Sequence, residues 1–127
     1  MSQKLQFDLV SPESLLVSQA VDSVFVPGSE GDMGVYAQHA PVISALRPGV
    51  MTVTADGTEN RYYVRGGFLD VSNEGLTVLA EHAIALSDFS AELREAELVE
   101  ARTALANAAH DQARWQAQQV IDTIEAL

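Results

Sequence analysis

Apolar and polar residues alternate along several short segments in the first two thirds of the chain. Leu5–Val10 is one such segment, and Gly49–Thr54 and Asn60–Val64 are two more. This alternation is typical of a half-buried β-strand, in which every second side chain faces the core. The Asp56-Gly57 dipeptide between the last two segments favours a tight hairpin turn. The pattern therefore predicts short strands joined by tight turns.

Turn residues divide the remaining apolar segments in the same way. Gly66-Gly67 predicts a bulge or a bend where strands approach closely. Further strands are predicted at the following segments: Leu15–Val26, Val42–Leu46, Phe68–Val71, Leu76–Ala80 and, at an edge, Ala83–Leu86. About eight to ten short strands without intervening helices are typical of an antiparallel β-sandwich. We expect this sandwich to form a first domain at residues 1–86.

The last third of the chain changes to a helical pattern. All eight glycines and all four prolines lie at or before Gly75, and residues 87–127 are rich in alanine, glutamate, glutamine and leucine. Ser87 or Ser90 suits the N-cap of a first helix, and a break is predicted at Asn107–Asp111. Because alanine lets helices approach closely, we expect residues 87–127 to form an antiparallel two-helix hairpin as a second domain. The predicted fold class is mainly β with an α-helical appendage.

Each predicted helix carries an apolar face. The residues on these faces are Leu93, Ala101, Leu105 and Ala108 in the first helix, and Ala113, Ala117, Val120, Ile121 and Ile124 in the second. Arg94 and Glu97 are expected to pair on the exposed side of the first helix. Trp115 lies opposite the second stripe, and it either packs against the sandwich or the hairpin end, or contacts a partner. The pattern fits both a hairpin folded against the sandwich and an extended one.

The composition limits the possible partners. The 127 residues carry a formal net charge of −11, which argues against binding to nucleic acid and against direct binding to anionic lipid. The chain has no cysteine, so disulfides and thiol chemistry are excluded. No apolar run approaches the roughly 20 residues of a membrane span, and the N-terminus lacks a signal-peptide core. We expect a soluble chain without direct membrane insertion, whose contact with a membrane comes through a partner.

A glycine-rich stretch, Val24–Gly49, organises the first domain. Glycines recur at three-residue spacing from Gly28 to Gly34, with Glu30 and Asp32 between them. Glycine there indicates positive φ or close backbone approach, and hence a tight loop. A phosphate cradle would need a helix N-terminus and usually a lysine, and the two acids would repel the ligand. The loop is either an ordinary turn with solvated acids or, as we favour, an acidic surface for a basic protein partner.

Candidate chemistry is sparse. The histidines His39, His82 and His110 are far apart in the sequence, and no cysteine accompanies them, so no metal site is predicted. Glu30 and Asp32 are poor candidates for a catalytic acid–base pair, because carboxylates are plentiful in so acidic a chain. No Ser-His-Asp order with the glycine pattern of a nucleophile elbow is present. We therefore predict no catalytic residue, no cofactor and no metal ligand. His39 is expected to be a structural loop histidine beside a partner surface.

Several motifs occur together and in order. Pro27–Tyr36, His39-Ala40-Pro41 and Arg47-Pro48-Gly49 are followed by Val64–Val71 and Leu76–Glu81. In this combination they resemble the epsilon subunit of F-type ATP synthases over nearly the whole chain. The resemblance implies a flattened sandwich of two sheets. It also implies a non-catalytic subunit of the central stalk, or rotor, in a complex whose other subunits carry the catalysis.

The resemblance further implies partners and a location. In this family the acidic loop and the histidine region dock on the gamma subunit and on the membrane rotor ring. By position in the motif, the expected partner-binding residues are Glu30, Gly31, Asp32 and His39. The implied function is to couple the gamma subunit to the proton-driven ring, with the catalytic subunits as transient partners. The implied location is the cytoplasmic face of the bacterial inner membrane, peripheral through the complex.

Two departures from the family affect regulation. Some bacterial epsilon subunits bind ATP through an Ile/Leu-Asp-x-x-Arg/Lys-Ala motif near the start of the helical part, and Leu86–Glu92 does not match it. Ile121–Ala126 has the outline but places Glu125 at the position of the cation, so no tight ATP binding is expected. Residues 87–127 carry eight acids and three bases, so we expect any inhibition of ATP hydrolysis by these helices to be weak. The alternative outside this family is a β-sandwich module that binds a small ligand.

Overall fold

The computed structural model of the chain describes residues 4–127. A β-rich part is followed by two helices, which confirms the predicted fold class. The strands are β1 (Leu5–Val10), β2 (Leu15–Val21), β3 (Ser23–Gly28), β4 (Gly31–Tyr36), β5 (Val42–Ala45), β6 (Gly49–Ala55), β7 (Thr58–Ser72) and β8 (Gly75–Ala85). A 3-10 turn at Leu86–Asp88 leads to α1 (Ala91–Ala106) and α2 (Asp111–Glu125). Within residues 4–127 no helix has the length and apolar character needed to cross a membrane. The division into two domains after residue 86 stays a prediction.

The strands form two layers that share β7 and β8. The first layer has the order β4-β3-β6-β7-β8, and the second has the order β5-β7-β8-β1-β2. Among the described strands every pairing is antiparallel except that of β1 with β8, which is parallel. Fully buried side chains fill the space between the layers, among them Phe7, Val24, Met51 and Leu69. The predicted sandwich is thus confirmed with one parallel pair.

β7 and β8 each run through both layers without a break. The sequence predicts separate strands before and after Gly66-Gly67, and again before and after Glu81, whereas the structure has one continuous strand in each place. The register of β7 against β8 does not slip at the glycines. The glycine pair therefore provides the predicted bend and close approach, and the predicted bulge is wrong.

The glycine pair also changes which residues of β7 face the core. Before the pair, Val64 is a core residue; after it, Leu69 and Val71 are. The alternation therefore shifts by one residue between the two halves of the strand. Gly66 and Gly67 have φ angles of +72° and +112°, which L side chains rarely adopt. The shift lets both halves of a single strand keep apolar side chains inside the sandwich.

The segment predicted as one extended stretch, Leu15–Val26, forms two strands. Asp22 lies between β2 and β3, and its backbone N donates to Thr54 O at 2.8 Å. Its carboxylate accepts a hydrogen bond from Asp56 N at 2.8 Å and pairs with Lys4 Nζ at 2.7 Å. These contacts fix the point where the chain passes from the second layer to the first. Periodicity does not reveal the break because apolar residues continue on both sides of it.

The helices begin and end close to the predicted positions. Ser90, one of the two predicted caps, accepts a hydrogen bond from Leu93 N at 3.2 Å. The two helices are separated by residues 107–110, which confirms the predicted break. His110 caps the second helix, since its Nδ1 accepts from Ala113 N at 3.2 Å.

The hairpin is folded against the outer face of β7. It covers the fully buried Tyr63, whose ring stacks on Phe89 with centroids 5.4 Å apart. The buried helical side chains around Tyr63 are Leu98, Ala101, Val120, Ile121 and Ile124. The predicted stripe of α2 is therefore largely confirmed. The predicted face of α1 is partly wrong, because Leu93 is 43% exposed and Leu98 is buried instead.

Candidate partner-binding site

Ser29 and Glu30 form a tight turn between β3 and β4, at the place where the sequence predicts the acidic loop. Gly28 and Gly31 pair across it, and Gly31 has a φ of +134°. A Cβ on Gly28 would lie 2.9 Å from Gly31 O, so the turn has no room for a larger residue there. The loop is shorter than the sequence predicts, because Gly31–Tyr36 belongs to a strand.

The end of β5 and the segment after it hold this turn in place. Ser29 N donates to Ala45 O at 2.9 Å, and Arg47 N donates to Pro27 O at 2.9 Å. The Arg47 side chain adds a hydrogen bond from Nε to Gly28 O at 3.1 Å. Backbone bonds from both sides leave the turn little freedom. The structure therefore presents the acidic turn as a fixed surface.

Glu30 in the turn and Asp32 on the strand that follows it differ in how their charges are balanced. Asp32 pairs with the Arg47 guanidinium. Glu30 is exposed, and within residues 4–127 it forms no ion pair. Because Arg47 offsets the charge of Asp32, the turn presents one unbalanced negative charge, that of Glu30.

His39 lies at the other end of β4. Gly31–Tyr36 spans about 17 Å at roughly 3.3 Å per residue. His39 N donates to Tyr36 O at 3.2 Å, and its Nδ1 lies 2.7 Å from Ala40 O. The structure thus brings together the other three predicted contact residues and leaves His39 apart from them. The contact role of all four residues stays a prediction.

A row of apolar residues crosses the outer face of the second layer. Strand pairing aligns Ala45 of β5, Phe68 of β7, Leu79 of β8, Val10 of β1 and Leu15 of β2, and we call this set the apolar row. Phe68, Leu79 and Leu15 are 58%, 50% and 59% exposed. Contiguous exposed apolar side chains mark interaction surfaces more often than isolated ones do. The apolar row is therefore a candidate docking surface.

Sequence reasoning missed the apolar row. Its members come from five strands that are distant along the chain, and only their register places them side by side. One signal is available in the sequence: Phe68-Leu69 and Val78-Leu79 place apolar residues on both faces of a strand. A strand with one solvated face would carry a polar residue at every second position.

A second, smaller apolar feature lies on the outer face of β3 and β4. The rings of Phe25 and Tyr36 meet edge to face with centroids 6.3 Å apart, and both are about half exposed. Gly34 is paired with Phe25, and a Cβ there would lie 2.9 Å from the ring. The third glycine of the stretch therefore makes room for an aromatic side chain rather than for a turn.

The structure also places the candidate chemical groups. Among the described residues no set of three or more His, Asp or Glu side chains is arranged to hold a metal ion. Glu97 is buried and 2.5 Å from His82 Nε2, so the predicted exposed pair with Arg94 is wrong. Trp115 is 52% exposed, beside a surface groove that Leu105 also lines.

Two sequence comparisons relate the chain to known proteins. The family model described as ATP synthase, Delta/Epsilon chain, beta-sandwich domain matches residues 4–86. The ATP synthase epsilon chain of Parvibaculum lavamentivorans is 48% identical over 128 residues, which cover 100% of this chain and 97% of that relative. The ATP synthase epsilon chain of Maricaulis maris is 46% identical over 127 residues, covering 100% of this chain and 96% of the relative.

Two solved structures share the fold. A chain of the Euglena gracilis mitochondrial ATP synthase (OSCP/F1/c-ring) superposes with a TM-score of 0.78 at 23% identity, covering 99% of this chain and 82% of that chain. A chain of the Tetrahymena thermophila mitochondrial ATP synthase (central stalk/c-ring) superposes with a TM-score of 0.68 at 11% identity, covering 98% and 96%. At these identities the likeness shows the fold alone.

Proposed function

This chain belongs to the family of ATP synthase epsilon chains, and from that premise we propose that it is a non-catalytic rotor subunit of a proton-translocating F-type ATP synthase. The observation that carries the proposal is the 48% sequence identity to an ATP synthase epsilon chain, over 100% of this chain and 97% of that relative. The subunit couples the gamma subunit to the membrane rotor ring through rigid contact. A ligand-binding sandwich is not favoured, because side chains fill the space between the layers.

The proposal includes a location and a limited regulatory role. The bacterial relatives support a place at the cytoplasmic face of the inner membrane, peripheral through the complex. Tight ATP binding is not expected, and inhibition of ATP hydrolysis by the helices is expected to be weak. The catalytic subunits are transient partners.

The apolar row is the proposed docking face for the gamma subunit. Adjacent strands are about 4.8 Å apart, so a row across five strands is roughly 19 Å long. Stable protein interfaces bury roughly 1,200–2,000 Å² in total around an apolar centre. The exposed Phe68, Leu79 and Leu15 would supply that centre.

The acidic turn and His39 are the proposed polar contacts with the gamma subunit and the rotor ring. They lie at opposite ends of β4, which lets one strand touch two partners. Exposed charges at an interface mainly set the association rate and the specificity. Glu30 is expected to act in this way because its charge is not offset within the described chain, whereas Arg47 offsets that of Asp32.

Binding of the purified chain to the purified gamma subunit tests the docking face. Phe68→Ser and Leu79→Ser are expected to weaken binding at least about tenfold each, since buried apolar anchors carry most of an interface's energy. Val99→Ser is the matched control, because Val99 is 53% exposed on α1 and lies outside the apolar row. Wild-type affinity in both row variants would refute the docking face, and failure of the wild-type chain to bind would refute the rotor function itself.

A charge reversal tests the acidic turn separately. Glu30→Lys is expected to slow association with the gamma subunit or the ring, with a weaker dependence on salt, because long-range attraction is lost. Glu74→Lys reverses an exposed acid in another turn of the sandwich and serves as the control. Equal association rates for the two variants with both partners would contradict the role of the turn.

A further inference from the structure

Glu97 is a charged side chain buried between the hairpin and the sandwich. It lies on α1 and is only 6% exposed. An ionised carboxylate costs free energy when it leaves water unless partners compensate its charge. The partners of Glu97 therefore influence whether the hairpin stays docked.

The sandwich supplies both basic side chains that contact Glu97. Glu97 Oε1 lies 2.5 Å from His82 Nε2 on β8, and Glu97 Oε2 lies 3.9 Å from Arg65 Nε on β7. His82 and Arg65 are paired directly across the two strands. Arg65 is also 3.6 Å from Glu100 Oε1, so its charge is shared between two acids. His82 is thus the nearer partner of the buried carboxylate.

A tyrosine completes the set of ionisable groups around Glu97. The Tyr63 hydroxyl and Glu97 Oε2 are both buried without a hydrogen-bond partner among the described residues. Burial, followed by the charge of Glu97, raises the pKa of the Tyr63 phenol, so it stays neutral at ordinary pH. Glu97 is therefore faced by Tyr63 and Arg65 from β7, His82 from β8 and Glu100 from its own helix.

We propose that His82 and Glu97 form a pH-sensitive latch that holds the helical hairpin on the sandwich. A protonated imidazole makes a charge-assisted hydrogen bond to the carboxylate, whereas a neutral imidazole makes an ordinary one at most. Histidine is the side chain that ordinarily changes charge between about pH 5 and pH 8, and the His82 side chain is 40% exposed to water. Docking is therefore tighter at the acid end of this range. The latch belongs to the chain alone and does not rest on the proposed function.

A second histidine of the hairpin acts in the opposite direction. His110 Nδ1 accepts the capping hydrogen bond of α2, and protonation of that nitrogen removes the acceptor. The start of α2 is weaker whenever this nitrogen is protonated. The effect is present in every variant that keeps His110, so comparing variants at the same pH cancels it.

Amide hydrogen exchange of the full chain tests the latch. Protection factors of α1 and α2 amides, relative to those of β1 and β2, are measured at about pH 5.5 and about pH 8. Relative to His82→Gln, the wild-type hairpin should gain about three- to tenfold protection on acidification, as expected for a charged hydrogen bond between one partly exposed and one buried side chain. Glu97→Gln should lose this gain, whereas Glu100→Gln should keep it, because Glu100 is 64% exposed and pairs with Arg65 rather than with His82.

An equal pH dependence in the wild type and His82→Gln would overturn the proposal. The proposal would also be overturned if Glu100→Gln lost the gain in protection on acidification and Glu97→Gln kept it. Should Glu97→Gln release the hairpin at both pH values, His82→Gln decides the question, because it keeps the carboxylate and Arg65 in place.

Discussion

Replacing Gly67 with alanine tests whether the bend of β7 holds the two layers together. Gly67 pairs with Ala80 and has a φ of +112°. An added Cβ would lie 1.8 Å from Leu79 O, although real Cβ contacts stay above 3.0 Å. The backbone of β8 must therefore move by roughly 1 Å or more, because a carbonyl oxygen cannot rotate away as a side chain can.

The magnitude follows from two contributions. Holding an alanine at this φ costs about 1–3 kcal/mol. Displacing β8 weakens one or two ladder hydrogen bonds at about 0.5–1.5 kcal/mol each. Together these contributions run from about 1.5 to about 6 kcal/mol, and the middle of this range, about 3–4 kcal/mol, is the expected loss in the free energy of unfolding of Gly67→Ala. With a urea m-value of about 2 kcal/mol/M, the midpoint falls by roughly 1.5–2 M.

Gly57→Ala is the matched control. Gly57 also has a positive φ, +82°, but no atom lies within 4 Å of its missing Cβ. Gly57→Ala should lower the free energy of unfolding by the backbone strain alone, about 1–2 kcal/mol. Urea unfolding followed by circular dichroism compares the two variants. If Gly67→Ala is no less stable than Gly57→Ala, the close approach at the bend contributes nothing and the reasoning is refuted.

Three further changes follow from local contacts. Ser90→Ala removes the cap of α1 and should lower the free energy of unfolding by about 1 kcal/mol. Ser87→Ala should lower it by less than about 0.5 kcal/mol. Equal melting temperatures of the two variants would contradict this. Ile124→Ala empties a fully buried position under the hairpin, and urea unfolding should show a loss of about 2–5 kcal/mol. A hydrogen bond from Lys4 lowers the pKa of the Asp22 carboxyl, so Asp22 stabilises the fold above its unfolded pKa and less as the pH falls. Asp22→Asn should therefore lose stability less steeply below about pH 5 than the wild type does, and identical slopes would rule this out.

Much of the fold could be predicted because its signals are local. Alternation over Leu5–Val10 and Gly49–Thr54 depends on neighbouring residues, and the structure has strands at both places. The Asp56-Gly57 turn was predictable for the same reason, since both residues have positive φ. The stripe of α2 follows from helical periodicity, which needs no knowledge of the sandwich. The family, too, could be identified from motifs that are contiguous in sequence.

The candidate site was predictable only in part. The acidic turn was visible as glycines around Glu30 and Asp32, but the sequence does not show that Arg47 offsets one of the two charges. It also suggests that His39 belongs to the same region, whereas a whole strand separates it from the turn. Both differences concern where a side chain lies relative to residues that are distant from it in the sequence.

By itself, then, the sequence determined most of the strands and turns, the two helices and the family, because each of these rests on short-range patterns. Only the tertiary structure decided which surfaces and partners these elements create. The sequence predicts Glu97 to be an exposed acid on a helix, yet docking of α1 buries it against Arg65 and His82. The apolar row exists only when five strands are in register. Long-range register and docking depend on contacts between distant segments, and no local pattern encodes them.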